Sequence, residues 1–305
     1  MAFRITYSNQ LNNKSIRKIF VKVNHGKKIT CSNCVNSKVV WISEREFRCR
    51  KCWTVSSFTK NTYLEKSKLS LRLWYEIVWC FVVTHSAHKA GKLLGIDGKL
   101  VWQSYQKIRL SILTHSQRQK RKFTGTVEVD ESYYGGLFKN LRKETRWKYR
   151  KEGIAKRGRG AKYRKQPVFG IYKRDGKVYL ELIAECTKEE LEPIIKHKGK
   201  KNTEVFSDTN TSYTGLVGLG YVRSPVDHGM EIYVDGTIHI NGMEGFWGLS
   251  KTNMHTYKGI KKKNWILYLK EMEFRYNNRR QDFTEIVDKI IGILMSYRRG
   301  SFVPY

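Results

Sequence analysis

Acidic side chains are scarce in this chain: 27 Asp and Glu stand against 59 Lys and Arg over 305 residues, a formal net charge of +32. So basic a balance points to a polyanionic partner, with nucleic acid ahead of an anionic membrane surface. Long apolar runs are missing as well. The longest, such as Ile77–Thr84, fall well short of the roughly 20 residues that cross a bilayer, which argues against a membrane protein. The opening residues MAFRITYSNQ lack the apolar core of a secretory signal, so intracellular residence is expected. In such a compartment six cysteines do not make a disulfide framework. With 40% hydrophobic and 13% aromatic residues the chain is not disordered, and its length suits one to three domains.

Four of the cysteines are paired by spacing. Cys31-Ser-Asn-Cys34 and Cys49-Arg-Lys-Cys52 are two Cys-x2-Cys knuckles, each able to offer two thiolates from a tight turn, and together they suit one tetrahedral structural Zn²⁺. Short strand patterns at Lys38–Ile42 and Glu46–Arg48 between them make a zinc ribbon. Cys80 and Cys186 read as core thiols. Beyond the ribbon, Ser70–Thr84 has helical spacing, Ser86 caps a second helix over Ala87–Leu94, and Gly95 ends it. A third helix runs from about Lys99 to Leu113. Two helices joined by a glycine-containing turn form a helix-turn-helix pattern, with the third helix offering Lys99, Gln103, Ser104, Gln106, Lys107 and Arg109 to a DNA groove. An ordinary three-helix bundle has the same pattern.

Three acids stand out further along the chain. In Thr126–Gly136, TVEVDESYYGG, Val127 and Val129 alternate with Glu128 and Asp130, so the two acids share one face of a strand and Glu131 takes the other. An acid in mid-strand is costly to bury unless something cationic meets it. Lys139–Lys165 carries thirteen Lys or Arg and two acids, a solvated loop or, with Arg157 and Arg159, a segment laid along phosphates. Strand patterns then recur at Pro167–Lys173, Lys177–Glu185, Thr203–Ser207 and Tyr221–Asp227, with a helix over Lys188–Lys196 that Pro193 could break. That order indicates a mixed α/β sheet. Asp208 ends the fourth strand pattern, and Glu244 lies in the first turn of a helix after the candidate cap Asn241, with Lys251 two turns on along the same face. Asp130, Asp208 and Glu244 supply the hard oxygen ligands by which two Mg²⁺ or Mn²⁺ ions act on a phosphodiester.

These residues resemble Merlin-type and ISXO-like DDE transposases of bacterial insertion sequences. The pieces that carry the resemblance run in the family's order from about Cys31 to Arg279: the paired knuckles, VEVDESYYGG, VFGIYKR, VFSD with SYTGLVGLGY, HINGMEGFWGLSK, and YKGIKKKNWILYLKEMEFRYNNR. The resemblance implies a ribonuclease-H-like catalytic domain whose triad is Asp130, Asp208 and Glu244, with Lys251 on DNA near the cut and Asn241 as a second-choice ligand or positioning residue. It implies a multi-domain α/β chain: basic N-terminal segment (1–30), zinc ribbon (31–60), helix-turn-helix-like DNA-binding region (61–122), mixed-sheet catalytic domain (123–260) and C-terminal helices (261–305). The partners expected are double-stranded DNA, as terminal inverted repeats and target, and further copies of the chain in a homodimer or higher oligomer. Two departures, TNTSYTGL after Asp208 and the weakly basic TNMHTYKG after Lys251, leave open a DNA-binding copy without activity; a resolvase of the same fold is a further rival.

Overall fold

The structure is a computed structural model and describes residues 11–25, 29–119, 122–135, 141–153, 165–174, 176–208, 211–226, 241–257 and 260–296. The chain forms two compact units, Met1–Arg118 with Arg280–Tyr305, and Gln119–Arg279. The two C-terminal helices, expected as one segment over 261–305, are divided between them. No described helix is long and apolar enough to cross a membrane.

In the first unit, α1 (Asn13–His25) precedes an antiparallel three-stranded sheet of β1 (Val39–Trp41), β2 (Glu46–Cys49) and β3 (Val55–Ser57). Trp41, Phe47 and Phe58 meet edge to face behind it, with Arg17 of α1 stacked 4.1 Å above the Trp41 ring. Next come α2 (Leu71–Val82), α3 (Ala87–Leu94) and α4 (Gly98–Arg118). Ser70 and Ser86 cap the first two by accepting the Leu73 and Lys89 N–H groups at 3.1 and 3.2 Å. Gly95 takes the left-handed conformation, φ 67°, that closes α3 and releases the chain into the turn. α4 runs five residues past the expected Leu113, because Ile112, Leu113 and Thr114 stay buried and nothing before Arg118 breaks the helix. The last helix, α9 (Phe283–Ser296), packs against α1, α2 and α4.

The second unit is built on a five-stranded sheet in the order β6–β5–β4–β7–β8: β4 (Thr126–Tyr134), β5 (Gln166–Lys173), β6 (Lys177–Leu182), β7 (Glu204–Asp208) and β8 (Val222–Val226). β4, β5 and β6 are antiparallel, whereas β7 and β8 run parallel to β4. One face, with Val127, Val129, Phe169, Ile171 and Val205, buries against α6 (Lys188–Lys198) and a 3-10 helix (Thr211–Leu219). The other, with Tyr134, Val168, Val178 and Leu180, buries against α7 (Asn241–Thr256) and α8 (Trp265–Asn277). The basic insertion between β4 and β5 holds α5 (Lys143–Lys151), which buries none of its residues. α6 continues through Pro193, since Leu191 and Ile195 on either side of it are fully packed and outweigh the one hydrogen bond lost.

β6 is an edge strand, and α8 seals it. Asn277 accepts the Val178 N–H at 2.8 Å and donates to the Val178 carbonyl at 2.9 Å. Two residues on, Glu273 accepts the Leu180 N–H at 2.9 Å, and Lys270 donates to the Leu180 carbonyl at 2.6 Å. Side chains of a helix thus occupy the outward backbone groups of the strand, which closes the edge to pairing with another chain.

Candidate active site

The alternation in β4 decides which way each acid points. Glu128 and Asp130 face α7: the Met243 N–H donates to Glu128 Oε2 at 2.9 Å, and the Trp247 indole N–H donates to Asp130 Oδ2 at 3.0 Å. Glu131 faces the opposite side, where the Tyr213 hydroxyl donates to its carboxylate. Gly170 of β5, the cross-strand partner of Asp130, makes room for α7: a Cβ there would stand 2.1 Å from Met243 Cε and 2.7 Å from Trp247 Cζ2. A glycine inside a strand marks this kind of close approach.

β7 lies next to β4 in parallel, with Phe206 paired to Glu128; two residues further along the two strands stand Asp208 and Asp130. Neighbouring strands are about 4.8 Å apart. Glu244 is exposed in the first turn of α7, the helix whose indole reaches Asp130. Burial pushes the Asp130 carboxyl up to about 6; the N–H groups of Glu131 and Trp247 oppose the rise, while the charges of Asp208 and Glu244 add to it. Burial also lifts Glu131 to about 7, against the Tyr213 hydrogen bond and with the charges of Asp130 and Asp208 behind it. Acids from β4, β7 and α7 therefore act on one another electrostatically.

Lys251 is exposed on α7, two turns beyond Glu244, and Asn241 is the exposed first residue of that helix. Reading the sequence did not single out Trp247 as a partner of Asp130 or Tyr213 as a partner of Glu131. It did not assign Glu128 a role either, although a mid-strand acid between valines is itself a signal that a cation lies opposite. Arg174 is that cation, its Nε 3.3 Å from Glu128 Oε1.

In the first unit the four knuckle cysteines come together, all their sulfurs within 4.8 Å of one another. Cys31 and Cys52 stand 3.5 Å apart, as do Cys34 and Cys49. Four bonds of about 2.3 Å to a tetrahedral zinc set sulfurs about 3.8 Å apart, so the donor set fits. The knuckles repeat each other: Val35 N–H bonds to Cys31 O and Trp53 N–H to Cys49 O, both at 3.1 Å, and the N–H groups of Asn33 and Lys51 point at the Cys31 and Cys49 sulfurs. Hydrogen bonding with Thr54 draws the Cys52 thiol down to about 6, whereas Cys34, against the Asn36 backbone hydrogen bond, is pushed up by burial and by the other three sulfurs.

On α4, Lys99, Gln103 and Lys107 are exposed at four-residue intervals and form one stripe beside Trp102, itself 47% exposed. Ser104 and Arg109 do not belong to it. Both are buried; the Ser104 hydroxyl donates to Leu100 O at 3.0 Å, and the Arg109 guanidinium packs over Phe81 and Tyr105, so neither is offered to a groove. Arg157 and Arg159 lie outside the described residues.

Comparison with known proteins gives concordant matches. Residues 122–277, about half of the chain, match the family model of the ISXO2-like transposase domain. An uncharacterised transposase-like protein of Haemophilus influenzae is 33% identical over 127 residues, which is 42% of this chain and 98% of that protein. An uncharacterised protein in the transposable element ISH50 of Halobacterium salinarum is 23% identical over 271 residues, 86% of this chain and 90% of the other.

Proposed function

The chain belongs to the ISXO2-like transposase family, and from that premise we propose that it binds the terminal inverted repeats of its element and catalyses metal-dependent DNA cleavage and strand transfer. The observation that carries this reading is the shared field of three acids on three elements: the charges of Asp208 and Glu244 both bear on Asp130. The sheet order, with the first strand central, two antiparallel strands on one side and two parallel strands on the other, supports a ribonuclease-H-like catalytic domain.

Asp130, Asp208 and Glu244 would hold two Mg²⁺ or Mn²⁺ ions; their carboxylate oxygens are the hard ligands such ions prefer, and a cation would offset the burial cost of the Asp130 charge together with the smaller repulsion from Asp208 and Glu244. When bound, such ions would supply activation of an attacking oxygen, that of water or of a freed 3′-hydroxyl, and neutralisation of charge on the leaving oxygen. Trp247 holds one Asp130 oxygen by its indole N–H and the Glu131 backbone N–H holds the other at 2.8 Å, so the two together fix the orientation of the carboxylate. Lys251, exposed along the helix from Glu244, meets DNA phosphate beside the cut, and Asn241 stands at the head of that helix to position substrate or to ligate. The four cysteines would hold one structural Zn²⁺ and make the β1–β3 region a zinc ribbon. Lys99, Gln103 and Lys107 face a DNA groove, and Arg157 and Arg159 run along phosphates. The active form is a homodimer or higher oligomer assembled on DNA inside the cell.

The test is a cleavage assay on a duplex carrying an end of the element with its flank. Asp130→Asn is expected to abolish Mg²⁺-dependent nicking while leaving binding of that duplex intact. Undiminished nicking removes the triad. A wild-type protein that binds but never nicks favours the rival, a DNA-binding copy without activity.

A further inference from the structure

Glu128 is 1% exposed, deeper than any member of the triad, and it is tied on both oxygens: Oε1 lies 3.3 Å from Arg174 Nε, and Oε2 accepts the Met243 N–H at 2.9 Å. The Arg174 guanidinium in turn stacks 4.3 Å above the Phe206 ring, and its backbone N–H reaches Thr126 O at 3.3 Å. Three of the residues so joined stand beside a triad acid. Glu128 precedes Asp130 by two residues in β4, Phe206 precedes Asp208 by two in β7, and Met243 precedes Glu244 by one in α7.

We propose that Glu128 and Arg174 are positioning residues that hold the three acid-bearing elements in one register, a role that rests on the reading of Asp130, Asp208 and Glu244 as metal ligands. The first-turn N–H groups of a helix have no partner within it, and the positive end of the helix favours an anion. Glu128 satisfies one of those donors from the strand that carries Asp130, which sets the height of the first turn of α7, and with it Glu244, against β4. Arg174 keeps this buried carboxylate from adding an uncompensated fourth negative charge to the site, and by lying over the Phe206 ring it extends the tie to β7. Outer residues that orient metal-binding side chains are worth about 10- to 100-fold in metal affinity.

Two variants probe the pair in the full chain. Glu128→Gln can keep an oxygen on the Met243 N–H only by turning its amide N–H groups toward the donors of Arg174. Arg174→Lys keeps the charge but loses the guanidinium over the Phe206 ring. Mn²⁺ uptake is followed by electron paramagnetic resonance of the free ion, alongside the thermal midpoint, binding of the end duplex and nicking, with Asp130→Asn as control. Both variants are expected to fold and to bind the duplex as wild type does. They should take up Mn²⁺ about 10- to 100-fold more weakly and recover nicking as Mn²⁺ is raised, whereas Asp130→Asn recovers none. Wild-type Mn²⁺ affinity in the two variants, or lost nicking that excess Mn²⁺ does not restore, overturns the positioning role. Should Glu128→Gln fail to fold, Arg174→Lys decides. Wild-type Mn²⁺ affinity in Asp130→Asn strikes instead at the triad, and the positioning role goes with it.

Discussion

Asp130 sits where two demands oppose each other: the ion binding proposed for it wants an ionised carboxylate, and a largely buried strand face wants none. Its pKa of about 6 lies above the ordinary 3.8, so the folded chain holds this proton more tightly than the unfolded chain does. The stability linked to it is therefore complete below about pH 4 and lost as the pH rises through about 6. Without metal, Asp130→Asn is expected to melt above wild type at neutral pH, with the gap opening between about pH 4 and pH 6; thermal midpoints measured in chelator across that range give the curve. Parallel curves for the two proteins would mean that the carboxylate bears no excess burial cost. Gly170 is the second residue whose identity is dictated locally. Gly170→Ala places a methyl where Met243 and Trp247 now lie, and overpacking of this kind costs about 1–3 kcal/mol. The thermal midpoint should fall, and indole fluorescence should report a displaced Trp247.

Elements were readable from the sequence where a local rule sets them. Period-two alternation in TVEVDESYY, the Ser86 cap before α3, and paired Cys-x2-Cys turns each depend on residues close in the chain, and each is present. What escaped the sequence is what only the packed elements bring together. Trp247 meets Asp130 across 117 positions, Glu128 meets Met243 across 115, and the sealing of β6 by Glu273 and Asn277 spans more than 90. Burial has the same origin: the periodicity of α4 does not say which flank of a helix lies under Phe81, so Arg109 reads as surface and is core. The knuckles make a prediction at this scale. β1–β3 are only three or four residues each, too short a sheet to persist without help, and a zinc ion held by the four gathered sulfurs would be its cross-link. Elemental analysis is expected to find about one zinc per chain. A strong chelator, or Cys31→Ser with Cys34→Ser, should remove it and lose amide-exchange protection in β1–β3 while the sheet of the second unit keeps its own.

On the scale of the whole molecule, charge and shape divide the work of recognition. A formal +32 spread over the chain draws any duplex, and that attraction weakens steeply with salt because each phosphate neutralised releases a counterion. Sequence discrimination must come from the few side chains that reach base edges. On the exposed stripe of α4, Lys99 and Lys107 are cations, while Gln103 between them is the residue able to pair with a base, most simply adenine. These roles separate in one measurement, binding of the end duplex as a function of salt. Lys99→Ala and Lys107→Ala should each reduce the slope of log K against log salt by about one, with affinity lost equally for end and unrelated duplexes. Gln103→Ala should leave the slope in place and lower the preference for the end duplex by about 1–3 kcal/mol. Equal slopes for all three variants and wild type would take α4 out of the interface and leave DNA recognition to the basic segments on either side of β4.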